Sequence, residues 1–145
     1  MLLDTNADDT AAHLFPTLVR HRDKSDVFIL TYGGMLPLVE TVAAYLEDEE
    51  ELEVEIVVPA LLSPLPKASL IAHLGGSPRL AIVEESHDEF GVGAEILASL
   101  MEAGYRGRAI RIGTPPVPIS SARSLESQIL PSEERLISEI IGLFN

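Results

Sequence analysis

Asp26–Leu46 reads DVFILTYGGMLPLVETVAAYL, and this one stretch restricts the chain to a narrow set of folds. Val27–Tyr32 is a near-continuous apolar run rich in β-favouring side chains, the pattern of a strand covered on both faces. Gly33-Gly34 then permits a sharp turn, because glycine accepts backbone angles that other residues resist. From Met35 the period lengthens: Met35, Leu38, Val39, Val42, Ala43 and Leu46 fall on one helical face. Pro37 lies in the first turn, where a missing N–H costs little. A buried strand, a glycine turn and an amphipathic helix make half of a β–α–β unit, which demands a sheet with helices on its faces.

The alternation continues downstream. Glu47–Glu55 holds seven acidic residues in nine and is expected to be a solvated helix end and loop. Val54–Val58 is a second strand, ended by Pro59, and Leu61–Leu65 crosses to a helix over Pro66–Leu74. That helix turns Leu70, Ile71 and Leu74 inward, with Gly75-Gly76 as a left-handed cap. Arg79–Glu84 is a third buried strand and Glu85–Glu89 a polar connection. Phe90–Ala103 reads as a helix with Ala94, Leu97, Ala98 and Met101 on one stripe, closed by Gly104. Arg108–Ile112 is a fourth strand of the same kind.

From Gly113 the segment GTPPVPISSARS has three prolines and no period, and reads as an ordered excursion or an interface loop. Ser132 suits a helix N-cap, and the closing helix buries Leu136, Ile137, Ile140, Ile141 and Phe144. Leu14–Arg20 suits a short edge strand, since Pro16 would interrupt a central ladder. Residues 1–13 are expected to be a mobile tail and residues 14–145 one domain. These elements describe a three-layer α/β/α sandwich around a mostly parallel sheet.

Composition narrows the chemistry. A chain of 145 residues suits one core that buries roughly 70% of its unfolded surface. Ten Lys and Arg against 23 Asp and Glu give −13, which repels nucleic acid and anionic membranes. No run of eighteen apolar residues is present, so no membrane helix is expected. MLLDTNADDT lacks the basic start and apolar centre of a secretory signal, so the cytoplasm, or an equivalent organelle matrix, is the expected compartment. Without cysteine there are no disulfides, thiolate nucleophiles or cysteine-bound metals. His13, His21, His73 and His87 show no pair at helical ligand spacing, so no metal site is expected.

Two places could carry function. Gly33 and Gly34 lie where a strand meets a helix N-terminus, where free N–H groups can hold an anion. The letters GGMLPL match neither the dinucleotide fingerprint nor the phosphate loop, so a structural turn is the first reading and an anion site the second. The other place is Glu84-Glu85-Ser86-His87-Asp88 followed by Gly91-Val92-Gly93-Ala94-Glu95, at the carboxyl edge of the sheet where such folds place ligands. Ser86, His87 and Asp88 are consecutive and lack a nucleophile elbow, so they form no triad. His87 is a weak candidate for proton transfer, with Glu84, Glu85 or Asp88 nearby. Gly91 and Gly93 allow close approach to another backbone, and Glu95 suits the helix dipole.

Several of these strings occur in one order in a known family. They are Tyr32-Gly33-Gly34-Met35 after the buried strand, Leu62-Ser63-Pro64-Leu65, Val83–Ile96 (VEESHDEFGVGAEI), Pro116-Val117-Pro118, and Leu125-Glu126 ahead of Ile129-Leu130-Pro131. From Asp26 to Phe144 the chain resembles the C-terminal domain of transketolase-like thiamine-diphosphate enzymes, and most nearly the beta subunit of the pyruvate and branched-chain 2-oxo acid dehydrogenases. The resemblance implies a five-stranded, mostly parallel sheet with one antiparallel edge strand, a place that Leu14–Arg20 would take. It implies a non-catalytic domain that pairs subunits, as a homodimer or with partner subunits, and helps dock an acyltransferase core. Gly91, Gly93, Ala94, Glu95, Pro116, Val117 and Pro118 would lie at that contact.

Thiamine diphosphate and magnesium are implied for the complete enzyme and held by other domains, with no cofactor bound and no activity expected from this chain alone. The alternative is a stand-alone regulatory module that binds a small molecule or anion. The chain departs from the family at Val58-Pro59-Ala60, where Asp-Leu-Arg is usual, at Phe90, which replaces one of two glycines, and at Ile119, where an aromatic is common.

Overall fold

The computed structural model describes residues 2–4, 17–117 and 129–145. In chain order its elements are strands β1 (Leu2–Asp4), β2 (Thr17–Arg20) and β3 (Val27–Thr31), a 3-10 turn over Gly33–Met35, helix α1 (Leu36–Glu49) and strand β4 (Val54–Pro59). Helix α2 (Lys67–Leu74), strand β5 (Arg79–His87), helix α3 (Val92–Glu102), strand β6 (Arg108–Thr114) and helix α4 (Glu133–Gly142) follow. The sheet order is β1-β2-β4-β3-β5-β6. Strand β3 sits centrally and pairs in parallel with β4 (Ile29 opposite Ile56) and with β5 (Ile29 opposite Ala81).

The five expected strands are all present, with β2 antiparallel to β4 and the rest parallel. One addition corrects the sequence reading. Leu2–Asp4, placed there in a mobile tail, pairs antiparallel with Thr17–Val19, so a short sixth strand covers β2. Of the expected strand over Leu14–Arg20, only Thr17–Arg20 lies within the described residues.

Two apolar layers clasp the sheet. On one face Val39, Val42, Ala43 and Leu46 of α1 and Leu136 and Ile140 of α4 pack on Ile29, Ile56, Ala81, Val83 and Ile112. On the other, Leu70 and Leu74 of α2 and Ile96 and Leu100 of α3 pack on Leu30, Val57, Leu80 and Ile82. The central strands are apolar on both sides for this reason, and each such Leu or Ile contributes roughly 2 kcal/mol by leaving water. Ile137, Ile141 and Phe144, expected inside, are half-buried at the margin of the first layer, and Leu143 is buried in their place. The Arg79 guanidinium lies over the Phe144 ring, 4.1 Å from its centre.

Three local expectations change. Helix α3 buries Gly93, Ile96, Ser99 and Leu100; Ala98 is exposed and Met101 is 59% exposed, so the stripe lies one residue earlier than the apolar spacing suggested. Gly75 is not left-handed: its φ is −61°, and a Cβ there would lie 2.6 Å from the Ile71 carbonyl oxygen. Close approach, not handedness, explains that glycine. Strand β5 runs on through Glu85–His87, where a polar connection was expected.

The acidic run divides by function. Asp48–Glu51 is solvated as expected, but Glu47 pairs with both Arg20 and Arg22. Glu55 is 3% exposed and accepts hydrogen bonds from the Arg22 N–H, the Ser25 hydroxyl and the His21 ring. Beyond the end of α1, Glu51 takes the left-handed conformation at φ 55°, and Leu52 N–H donates to the Leu46 carbonyl at 3.0 Å. Glycine prefers that position, and a carboxylate near a helix C-terminus meets the negative end of the dipole. Glu51→Gly is therefore expected to stabilise the fold by about 1 kcal/mol and raise Tm by roughly 3 °C. An unchanged or lower melting temperature would count against this account.

Candidate functional site

Glu84 and Glu85 lie in the second half of β5, and strand alternation sends their two carboxylates to opposite faces of the sheet. Glu85 points toward the 3-10 turn, where its carboxylate oxygen lies against the place that a Cβ on Gly34 would take, so that carboxylate would have to move aside for any side chain there. Gly33, with φ 62°, and Gly34 are exposed there. A carboxylate of the chain itself thus lies beside the glycine turn proposed for an anion, and its charge opposes a phosphate there.

Glu84 points the other way and is fully buried, at 0% exposure. Its Oε2 accepts from the Tyr32 hydroxyl at 2.8 Å and from the Gly93 N–H at 3.1 Å. Its Oε1 accepts from the Arg111 guanidinium at 3.2 Å. A buried carboxylate needs this number of donors to offset the loss of water. The same guanidinium donates to the Phe90 carbonyl. One acid therefore joins β3, β5, β6 and the start of α3.

The two glycines of the Gly-Val-Gly run serve this acid. Gly93 is buried, and a Cβ on it would lie 2.5 Å from Glu84 Oε1 and 2.8 Å from Ile82 Cγ2. Gly91 has φ 92°, and a Cβ there would lie 2.8 Å from Glu84 Oε2. Glycine spacing suggested approach to another backbone; the neighbour is a side chain of the same molecule. Gly91 is exposed, Ala94 half-buried, and Glu95 exposed and paired with Lys67 of α2.

Ser86, His87 and Asp88 do not converge. The residues just past His87 are tied by backbone bonds, Phe90 N–H to the His87 carbonyl and Asp88 N–H to the Thr114 carbonyl. Among the described residues no hydrogen bond engages the His87 side chain. Strand β6 continues to Thr114, beyond the expected Ile112. Pro116 and Val117 then stand exposed past its end, while Pro118 lies outside the described residues. Phe90, beyond the end of the neighbouring strand, is 71% exposed and Val117 is 42% exposed. Glu84 was named in the sequence only as a neighbour of His87; its central place depends on Tyr32 and Arg111, which are distant in the chain.

Burial pushes the Tyr32 phenol up to about 12, and the hydrogen bond to the Glu84 carboxylate adds to the effect. The folded value lies above the ordinary 10.0, so the stability that neutral Tyr32 supplies is full below pH 10 and is lost as pH rises through about 12. Tyr32 is thus expected to ionise late in an ultraviolet titration of the folded protein, and Tyr32→Phe to remove a late step. A titration whose late part is the same in Tyr32→Phe would contradict it.

Comparison with known proteins gives one answer at each level. The family model described as the transketolase C-terminal domain matches residues 17–136. The beta subunit of the mitochondrial pyruvate dehydrogenase E1 component of Pisum sativum is 32% identical over 119 residues, covering 80% of this chain and 33% of the relative. The beta subunit of acetoin:2,6-dichlorophenolindophenol oxidoreductase of Bacillus subtilis is 27% identical, covering 84% of this chain and 36% of its own length. This chain thus spans about a third of the curated relatives it matches. A solved structure described as a split-gene transketolase, inactive beta4 tetramer, superposes with a TM-score of 0.72 at 20% identity, over 88% of this chain and 41% of that one. A family model that matches most of the chain, together with relatives about a third identical to it, leads to one statement: the chain belongs to the transketolase C-terminal domain family.

Proposed function

We propose that this domain is a non-catalytic assembly module of a thiamine-diphosphate-dependent 2-oxo acid dehydrogenase or a transketolase-like enzyme, pairing its subunits as a homodimer or with separate partners. Docking of an acyltransferase core and a place in the cytoplasm or an equivalent matrix follow from the same reading. One observation carries it: Phe90 and Val117 stand exposed past the carboxyl ends of two adjacent strands, beside a buried network that spends its polar groups on structure. Exposed aromatic and apolar side chains on a rigid rim suit a subunit contact. Gly91, Ala94, Glu95, Pro116 and Val117 lie on or near that rim, and Gly93 supports it from within.

The described residues do not fit the cofactor. Magnesium diphosphate needs converging oxygen ligands and a cradle of N–H donors. No group of three or more His, Asp or Glu side chains among the described residues could hold a metal ion, and the Glu85 carboxylate lies beside the glycine turn. The same carboxylate weakens the alternative of an anion-binding regulatory module. No helix among the described residues is long and apolar enough to cross a membrane.

Reconstitution tests the proposal. Mixed with a polypeptide carrying the two cofactor-binding domains, the chain is expected to restore thiamine-diphosphate-dependent turnover of a 2-oxo acid or a sugar phosphate, with neither piece active alone. Phe90→Ser is expected to weaken that reconstitution on the order of tenfold, one desolvated aromatic anchor, without lowering Tm. Full activity of the cofactor-binding piece by itself would refute the assembly role.

A further inference from the structure

We infer that Arg111 is a positioning residue whose guanidinium ties the Phe90 turn to the buried Glu84 carboxylate and so sets the shape that the turn offers a partner. The inference rests on the assembly reading above and adds a device that the reading does not require.

Arg111 lies in β6, and its side chain is largely enclosed. One guanidinium nitrogen donates both to Glu84 Oε1 and to the Phe90 carbonyl. Three residues further on, the Gly93 N–H donates to the other oxygen of the same carboxylate. The segment 90–93 is therefore pinned at both ends to one acid, through Arg111 at Phe90 and directly at Gly93. Between them Gly91 holds a positive φ that an L side chain rarely adopts.

The Phe90 ring, by contrast, faces outward. A loop that merely turned in solvent would not need a buried ion pair beneath it, because such a pair adds little net stability over apolar packing. What the pair does supply is a fixed geometry. Lysine could keep the charge, but its shorter and more flexible stem, without the planar guanidinium, would not hold that nitrogen between the two acceptors. A turn fixed before binding loses less freedom on contact, which favours association.

Hydrogen exchange on the whole chain reads this directly. In Arg111→Lys the amides of residues 88–93 are expected to exchange on the order of tenfold faster, with the central strands unchanged. Reconstitution is expected to weaken by a similar factor although Phe90 is intact, and to weaken no further when Arg111→Lys is added to Phe90→Ser. Should Arg111→Lys fail to fold, Glu84→Gln, which keeps the acceptor for Gly93 and loses the charge, is expected to show the same local exchange. Unchanged exchange at 88–93 in a folded variant would overturn the inference, as would additive losses in the double variant. Failure of the assembly reading is recognised separately, by a Phe90→Ser protein that reconstitutes normally while Arg111→Lys still loosens the turn.

Discussion

Glu84→Ala is expected to lower the stability of the folded chain by roughly 3–5 kcal/mol, and its Tm by about 10 °C or more. The side chain is fully buried and accepts from Tyr32, Gly93 and Arg111. Its removal leaves a nearly enclosed guanidinium without its counter-charge and a buried N–H without an acceptor, and each of those is costly. Glu84→Gln is expected to be milder, because the amide oxygen still accepts from Gly93. Urea unfolding of both variants decides the point. A loss below about 1 kcal/mol for the alanine variant, the size of an exposed ion pair, would show that the network is not the keystone of this edge.

Gly93→Ala ranks next, at roughly 2–3 kcal/mol, near the upper range for overpacking a filled interior. Its added methyl would meet Glu84 Oε1 at 2.5 Å and Ile82 Cγ2 at 2.8 Å, and both neighbours are held in place. This loss is expected in dilute solution, where no subunit contact forms. Measuring it there separates the two accounts of the glycine. A variant of normal stability that fails only to associate would return Gly93 to the surface role that its motif suggested.

The legible part of this molecule was its apolar frame. Val27–Thr31, Val54–Val58 and Arg79–Val83 are runs that must be covered on both sides, and the parallel pairing among them follows. Helix α1 was equally plain, since Val39, Val42, Ala43 and Leu46 sit on one face between polar residues. Helix α3 was not. Val92–Met101 is apolar nearly all round, so two stripes fit its period, and the choice between them is made by Gly93 against Glu84. That contact depends on an acid nine residues away in sequence and on Tyr32 and Arg111 further off. For the same reason Glu85–His87 reads as part of a polar connection. Polar side chains signal solvent unless their partners are known, and here the partners come from other strands. The resemblance in the strings from Val83 to Ile96 placed attention on this region before any chemistry could.

The antiparallel direction of β2 has a practical result. Thr17 lies opposite Pro59, the last residue of β4, so β2 begins on the same rim as Phe90 and Pro116. Helix α4 starts at that rim, where Arg135 reaches the Gly113 carbonyl at 2.8 Å, and runs to the far one, where Phe144 meets Arg79. A reporter or affinity tag fused after Asn145 is thus carried away from the rim that holds Phe90, whereas an insertion immediately ahead of Thr17 would crowd that rim.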